Sequence, residues 1–130
     1  MNVKVNISDA KVSRNAADVL VTYALGSCIG LCLYDPKEGV GGMLHCLLPD
    51  SNQNPEKAQQ NPFTYADSGT SLLLETLISM GAIRSRLQVT IAGGAKRLLT
   101  ETDVFDIGKH NYLAIRKGLW KNGLFIKAED

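Results

Sequence analysis

Polar and apolar residues alternate through the opening stretch "MNVKVNISDAKV", with Val3, Val5 and Ile7 on one side of an extended chain. A period of two is the mark of a half-buried strand. Asp18 to Ala24 is apolar and β-branched and predicts a second strand. The run "TYALGSCIGLCLYD" is broken by Gly26-Ser27, so Ile29 to Tyr34 reads as a third strand after a tight turn. "DPKEG" ends it, and "GGMLHCLLPD", residues 41–50, is a fourth short strand stopped by Pro49. Residues 49–63, "PDSNQNPEKAQQNPF", read as a long polar loop with three prolines, expected to form a flap or a disordered surface segment. From Tyr65 to Met80 the period becomes helical, placing Leu73, Leu74, Leu77, Ile78 and Met80 on one broad face, with Gly81 as the stop. "LQVTIAGGA" is again a strand. A second helix, capped by Asp106, runs to about Lys121 and stops at Asn122-Gly123, and "LFIKA" is a last strand. Strands, helix, strand, helix and strand in that order predict a mixed α+β class in one domain spanning 1–130.

Composition narrows the function. The net charge is +1, from 14 basic and 13 acidic residues, which gives no field to attract nucleic acid or an acidic membrane. Aromatic residues are 6% of the chain, too few for a base-stacking platform. The uncharged run from Val19 to Tyr34 is shorter than a membrane span and interrupted by glycine, so no membrane insertion is expected. No targeting segment is visible, and three cysteines at 28, 32 and 46 lack disulfide-framework spacing. Both point to the cytoplasm.

Cys28 directly follows the Gly26-Ser27 turn, where a side chain is lifted off a sheet and turn amides, those of Ser27 and Cys28 among them, can face a developing oxyanion. A thiol nucleophile also needs a base. His45 lies in a strand between Leu44 and Cys46, sharing a face with Met43 and Leu47. His110, among Lys109 and Asn111, reads as solvated. Thr22 is a candidate for the hydroxyl that orients the imidazole, although spacing alone does not rank it above Thr64 or Thr90. The competing readings are ordinary: a buried cysteine acting as a small hydrophobe, a satisfied core histidine, and a β-former in a strand. Cys32 and Cys46 read as core. Cys28 and Cys32, four apart on a strand, lie roughly 13 Å from each other, which disfavours a shared zinc ion. "IAGGAK" lacks phosphate-loop spacing and reads as a tight strand exit.

Together these stretches resemble the CheD family of chemoreceptor glutamine deamidases. "VTYALGSCIGLCLYDP" is similar to the family's nucleophile strand and turn, "GGMLHCLLPD" to its histidine strand, and "YADSGTSLLLETLISMGA" to its first helix. "IAGGAK", "IGKHNY" and "LFIKAED" follow in the family's order. The resemblance implies Cys28 as nucleophile, His45 as base and Thr22 as the orienting hydroxyl. It implies a layered α/β/β/α sandwich, likened to cysteine-dependent deamidating toxins, and no cofactor or metal. Implied substrates are glutamines on the cytoplasmic helices of methyl-accepting chemotaxis receptors, with a CheC-type phosphatase as regulatory partner. Two departures stand out. Leu44 replaces a more usual small or polar residue, so access to the site is expected to differ. The family also continues past the position of Asp130 with further strands, so the expected fold is the sandwich without them.

The expected activity is that of a protein-glutamine glutaminase: thiolate attack on the side-chain amide, release of ammonia, and hydrolysis of the thioester. Two other classes remain open on sequence alone. One is a non-catalytic module of the same fold that docks receptors or the phosphatase; the other is a redox-sensing thiol.

Overall fold

The computed structural model describes residues 1–94 and 107–129. Among these residues, seven strands and three α-helices follow in order: β1 (Asn2–Lys4), β2 (Asp9–Ser13), β3 (Val19–Val21), β4 (Ile29–Asp35), β5 (Val40–Cys46), α1 (Pro55–Gln60), α2 (Ala66–Ser79), β6 (Gln88–Gly93), α3 (Ile107–Lys121) and β7 (Ile126–Glu129). The class is α+β with a mixed sheet. Five strands form the main sheet in the order β2-β5-β4-β6-β7, and β1 and β3 form a separate parallel pair. The β2–β5, β5–β4 and β4–β6 pairs are antiparallel; β6–β7 is parallel, its connection running through α3.

Alternation along the central strands sorts the two faces. Ile29, Leu31 and Leu33 of β4, Leu44 and Cys46 of β5, and Val89 and Ile91 of β6 are buried together with Leu73, Leu74 and Leu77 of α2 and Ile115 and Leu119 of α3. This helix-covered face is the core. Ile115 and Leu119 alone anchor α3 with roughly 3–6 kcal/mol of apolar burial. Both long helices end with the same double bond pattern. Gly81 N–H donates to Ile78 and Ala82 N–H to Leu77, and Gly123 N–H donates to Trp120 and Leu124 N–H to Leu119. Each glycine therefore stops its helix and sends an apolar residue back onto it.

Three sequence expectations change. The opening alternation is two strands: Ser8 adopts φ 58° between β1 and β2, and its N–H donates to His45 O at 2.8 Å. Val5 is buried, but Ile7 on the expected same face is exposed. The proline-rich segment 49–63 is neither a flap nor a disordered segment. It folds as a 3-10 turn (Ser51–Gln53), α1 and a second 3-10 turn (Pro62–Thr64). Asp50, Asn54 and Asn61 cap these turns, and Pro55 and Pro62 sit at first helical positions. Asp67 accepts bonds from Ser51 N–H and Oγ–H, and Asn61 Nδ2 donates to Ser8 O, tying the segment down. Ile78, expected on the buried face of α2, is exposed. Asp106, expected to cap α3, lies outside the described residues.

Candidate active site

The turn from Ala24 to Cys28 carries Ala24 at φ 54° and Gly26 at φ 50°, and it closes with Cys28 N–H donating to Leu25 O at 2.7 Å. The sequence "ALGSC" thus turns the chain out of the β3 region and into β4 with Cys28 at the corner. Cys28 O accepts a 2.8 Å bond from Gly94 N–H. Gly93, at φ 95°, passes so close that a Cβ there would lie 2.2 Å from Cys28 O. The "AGG" exit of β6 is therefore a seat for the Cys28 backbone, a role its spacing did not reveal.

His45 sits on the face of β5 opposite the helices, while its neighbours Leu44 and Cys46 enter the core. Its partner across the β4–β5 ladder is Gly30, two residues beyond Cys28. Leu25 and Thr22 lie over Gly30, where a Cβ would meet Leu25 Cδ2 at 3.3 Å. The β3 end and its turn thus cover this part of the sheet.

Thr22 Oγ1 and His45 Nδ1 are 2.8 Å apart, and Thr22 Oγ1 also donates to Val5 O at 2.8 Å. A hydroxyl has one proton. With it committed to Val5, Thr22 accepts, so Nδ1 of His45 carries the ring proton and Nε2 carries the lone pair. His45 is buried, and Nε2 has no hydrogen-bond partner among the described residues. Burial holds the His45 pKa below its ordinary value and the Cys28 pKa above its own. Both shifts favour the neutral thiol and the neutral imidazole. Nε2 is the tautomeric atom a general base uses, and the Cys28–Nε2 bond itself is not made in this state.

The three cysteines separate clearly. Cys46 is fully buried in the core, and burial pushes its thiol up to about 12. Cys32 departs from expectation. It is not a core residue but half-buried on the opposite face, lining a cavity of about 450 Å³ with Arg14, Leu20, Tyr34 and Met43. Leu44 also departs from expectation: it packs on Gly69 of α2 inside the core and does not face His45. The Cys28 amide, expected as an oxyanion donor, is committed to Leu25 O, which leaves the Ser27 amide as the remaining candidate from that pair. His110 is exposed on α3. Asn111, read from sequence only as a neighbour of a solvated His110, is buried. Asn111 of α3 donates from Nδ2 to Ser27 O and to Leu47 O, both at 2.9 Å.

A cysteine at a strained corner, an imidazole with a free Nε2 and a hydroxyl behind Nδ1 are the group set of thiol-dependent hydrolases. Comparison with known proteins gives the family. The model described as CheD, chemotactic sensory transduction, matches residues 47–130. The chain is 50% identical over 125 residues to a Solibacter usitatus protein, covering 96% of this chain and 73% of that one. It is 48% identical over 129 residues to one from Syntrophus aciditrophicus, covering 99% and 80%. It is 37% identical over 129 residues to one from Pyrococcus abyssi, covering 98% and 77%. The first and third carry the name "Probable chemoreceptor glutamine deamidase CheD", and the second "Probable chemoreceptor glutamine deamidase CheD 1". The chain belongs to the CheD family.

Proposed function

We propose that this chain is a protein-glutamine glutaminase that converts glutamine side chains of chemoreceptor cytoplasmic helices to glutamate, with Cys28 as nucleophile, His45 as base and Thr22 as the hydroxyl that orients it. The observation that carries the reading is the Val5–Thr22–His45 relay, which presents Nε2 unprotonated on the sheet face beside the Cys28 corner. As Cys28 Sγ attacks the side-chain amide carbon, its proton passes to Nε2. The carbonyl oxygen becomes an oxyanion, for which the Ser27 N–H is the candidate donor. His45 then returns the proton to the departing nitrogen, ammonia leaves, and a thioester remains. Water, deprotonated by Nε2, attacks that carbon, the Cys28–carbon bond breaks, and the proton restores the thiol. The net change is glutamine plus water to glutamate plus ammonia.

The layered α/β/β/α sandwich belongs to the same reading. It is supported by the helices on one face of the main sheet and by the β3 end and turn against the other. So do a single domain over 1–130, a cytoplasmic setting and regulation by a CheC-type phosphatase. Among the described residues no helix is long and apolar enough to cross a membrane.

The test is mass spectrometry of glutamine-bearing receptor helices incubated with the protein. A gain of about one dalton per modified site is expected, abolished by Cys28→Ala. Unmodified helices after prolonged incubation, or an active Cys28→Ala variant, would overturn the assignment.

A further inference from the structure

The β4–β5 ladder makes its last pair at Ile29 and Cys46. The nucleophile lies one residue past that pair on one strand, and Leu47 lies one residue past it on the other. Beyond its last rung an antiparallel pair is free to splay. Here the gap is closed from the side. Asn111 Nδ2 reaches Ser27 O and Leu47 O, each at 2.9 Å, and so ties the residue before Cys28 to the residue two past His45.

Two carbonyls cannot bond to each other. Joining them takes a group with two donor hydrogens, and a primary amide nitrogen supplies both. That choice also fixes the amide's orientation: nitrogen faces the carbonyls, and Oδ1 is left buried without a hydrogen-bond partner among the described residues. Asn111 is fully buried on the helix face that also carries Ile115 and Leu119, where an apolar residue is the ordinary choice. An unsatisfied buried acceptor is unfavourable, so the residue is poorly explained by packing alone.

The clasp acts on the group that matters. Around Cys28 the preceding peptide is held at Ser27 O by Asn111 and at Cys28 N–H by Leu25 O, and the following peptide is held at Cys28 O by Gly94. Both peptide planes flanking the nucleophile are fixed, by three different elements. His45 is fixed separately, by Thr22. Past the ladder's end, Asn111 links the two fixed groups to each other.

We propose that Asn111 is a positioning residue for the deamidation: it substitutes for the missing rung of the β4–β5 ladder and sets the separation of the Cys28 corner from the His45 strand. The proposal rests on the Cys28–His45 reading above. Asn111 does not touch the reacting amide. Its effect is to keep the thiol within reach of Nε2 when substrate arrives, where a displacement of about 1 Å can cost 10²-fold in rate.

The test uses Asn111→Ser, which keeps one donor, Asn111→Leu, which keeps the volume and no donor, and Cys28→Ala as the control. Deamidation of a glutamine-bearing receptor helix is followed across pH. With Cys28→Ala inactive, both Asn111 variants should melt cooperatively and keep KM within about twofold. Their kcat should fall about 10- to 100-fold, more for leucine than for serine, and the acid-side midpoint of the kcat profile should move. Folded variants with kcat within twofold of the parent, or with a loss at an unmoved midpoint, would overturn the proposal and leave the Cys28 assignment standing. Failure of both variants to fold would overturn it too, since the residue would then be one of stability. An active Cys28→Ala variant would instead overturn the underlying reading, and this proposal with it.

Discussion

At the scale of single residues, the tautomer of His45 decides the chemistry. In the proposed mechanism, with Nδ1–H held by Thr22, Nε2 is the general base, and His45→Asn should slow ammonia release by about 10² or more. Thr22→Ala should cost less, because the base survives and only its orientation and tautomer are released; initial rates of ammonia release measure both. Burial sets the resting protonation. His45 titrates below its ordinary value and Cys28 above its own. As pH rises through neutrality the imidazole is therefore already neutral, and the thiol is still protonated. In a Cys32→Ala background, iodoacetamide should modify Cys28 at a rate that keeps rising with pH beyond the range where an ordinary thiol levels off. A plateau at or below that range would show that the site stabilises the thiolate. Cys46 should stay unmodified in the native protein, its thiol lying at about 12 within the core. The Cys32→Ala background is needed because Cys32 is the most exposed of the three cysteines.

At the scale of elements, the end of β6 shows how a strand exit becomes part of the site. Gly93 leaves room for Cys28 O where a Cβ would lie 2.2 Å away, and its φ of 95° is unfavourable for any other residue. Gly93→Ala should lower the melting temperature by several degrees and reduce deamidation further than the lost stability explains, because the Gly94–Cys28 bond positions the proposed nucleophile. Calorimetry and initial rates of the same preparation test it. The central strands and long helices were legible in sequence because their periods are local, whereas the break at Ser8 that separates β2 from β1 was not. The corner was legible too, since Gly26-Ser27 cannot continue a strand. The capped segment 49–63 was hidden by its polarity, although Asn54-Pro55 and Asn61-Pro62 are cap and first-turn pairs. The seat at Gly93 and the clasp at Asn111 were not legible, because each is a contact between residues more than sixty positions apart. Cys32 was misplaced for a related reason. Strand parity puts it on the face away from the helices, and only the tertiary fold shows that a cavity lies there.

At the scale of the whole molecule, one buried carboxylate joins the β4–β5 turn to the segment before β6. Asp35 is fully buried and accepts bonds from Lys37 N–H, Glu38 N–H and Ile83 N–H and from the Arg86 guanidinium, whose Nη2 lies 2.9 Å away. The Arg86 hydrogen bond, with the backbone donors, holds its pKa well below the usual carboxylate range. The folded value lies below the unfolded one, so this contribution is fully present above the unfolded pKa and is lost as pH falls toward the folded value. Acid unfolding should therefore begin below about pH 4, and Asp35→Asn should remove that share of the pH dependence and lower the melting temperature by roughly 10 °C or more. Thermal melts of both proteins from pH 3 to 7 decide it; parallel curves would remove Asp35 from the account.

The positions that hold the site together also have an order in time. Ribosomes deliver a chain from its N-terminus, and early segments acquire structure before late ones emerge. Val5, Thr22, Cys28 and His45 come first, Gly94 later, and Asn111 after it. A nascent chain holding the thiol and the imidazole therefore lacks the clasp across their strands until α3 has docked. The thiol and the imidazole are thus made well before the residue that joins their strands, and their full alignment waits on a helix that is synthesised later.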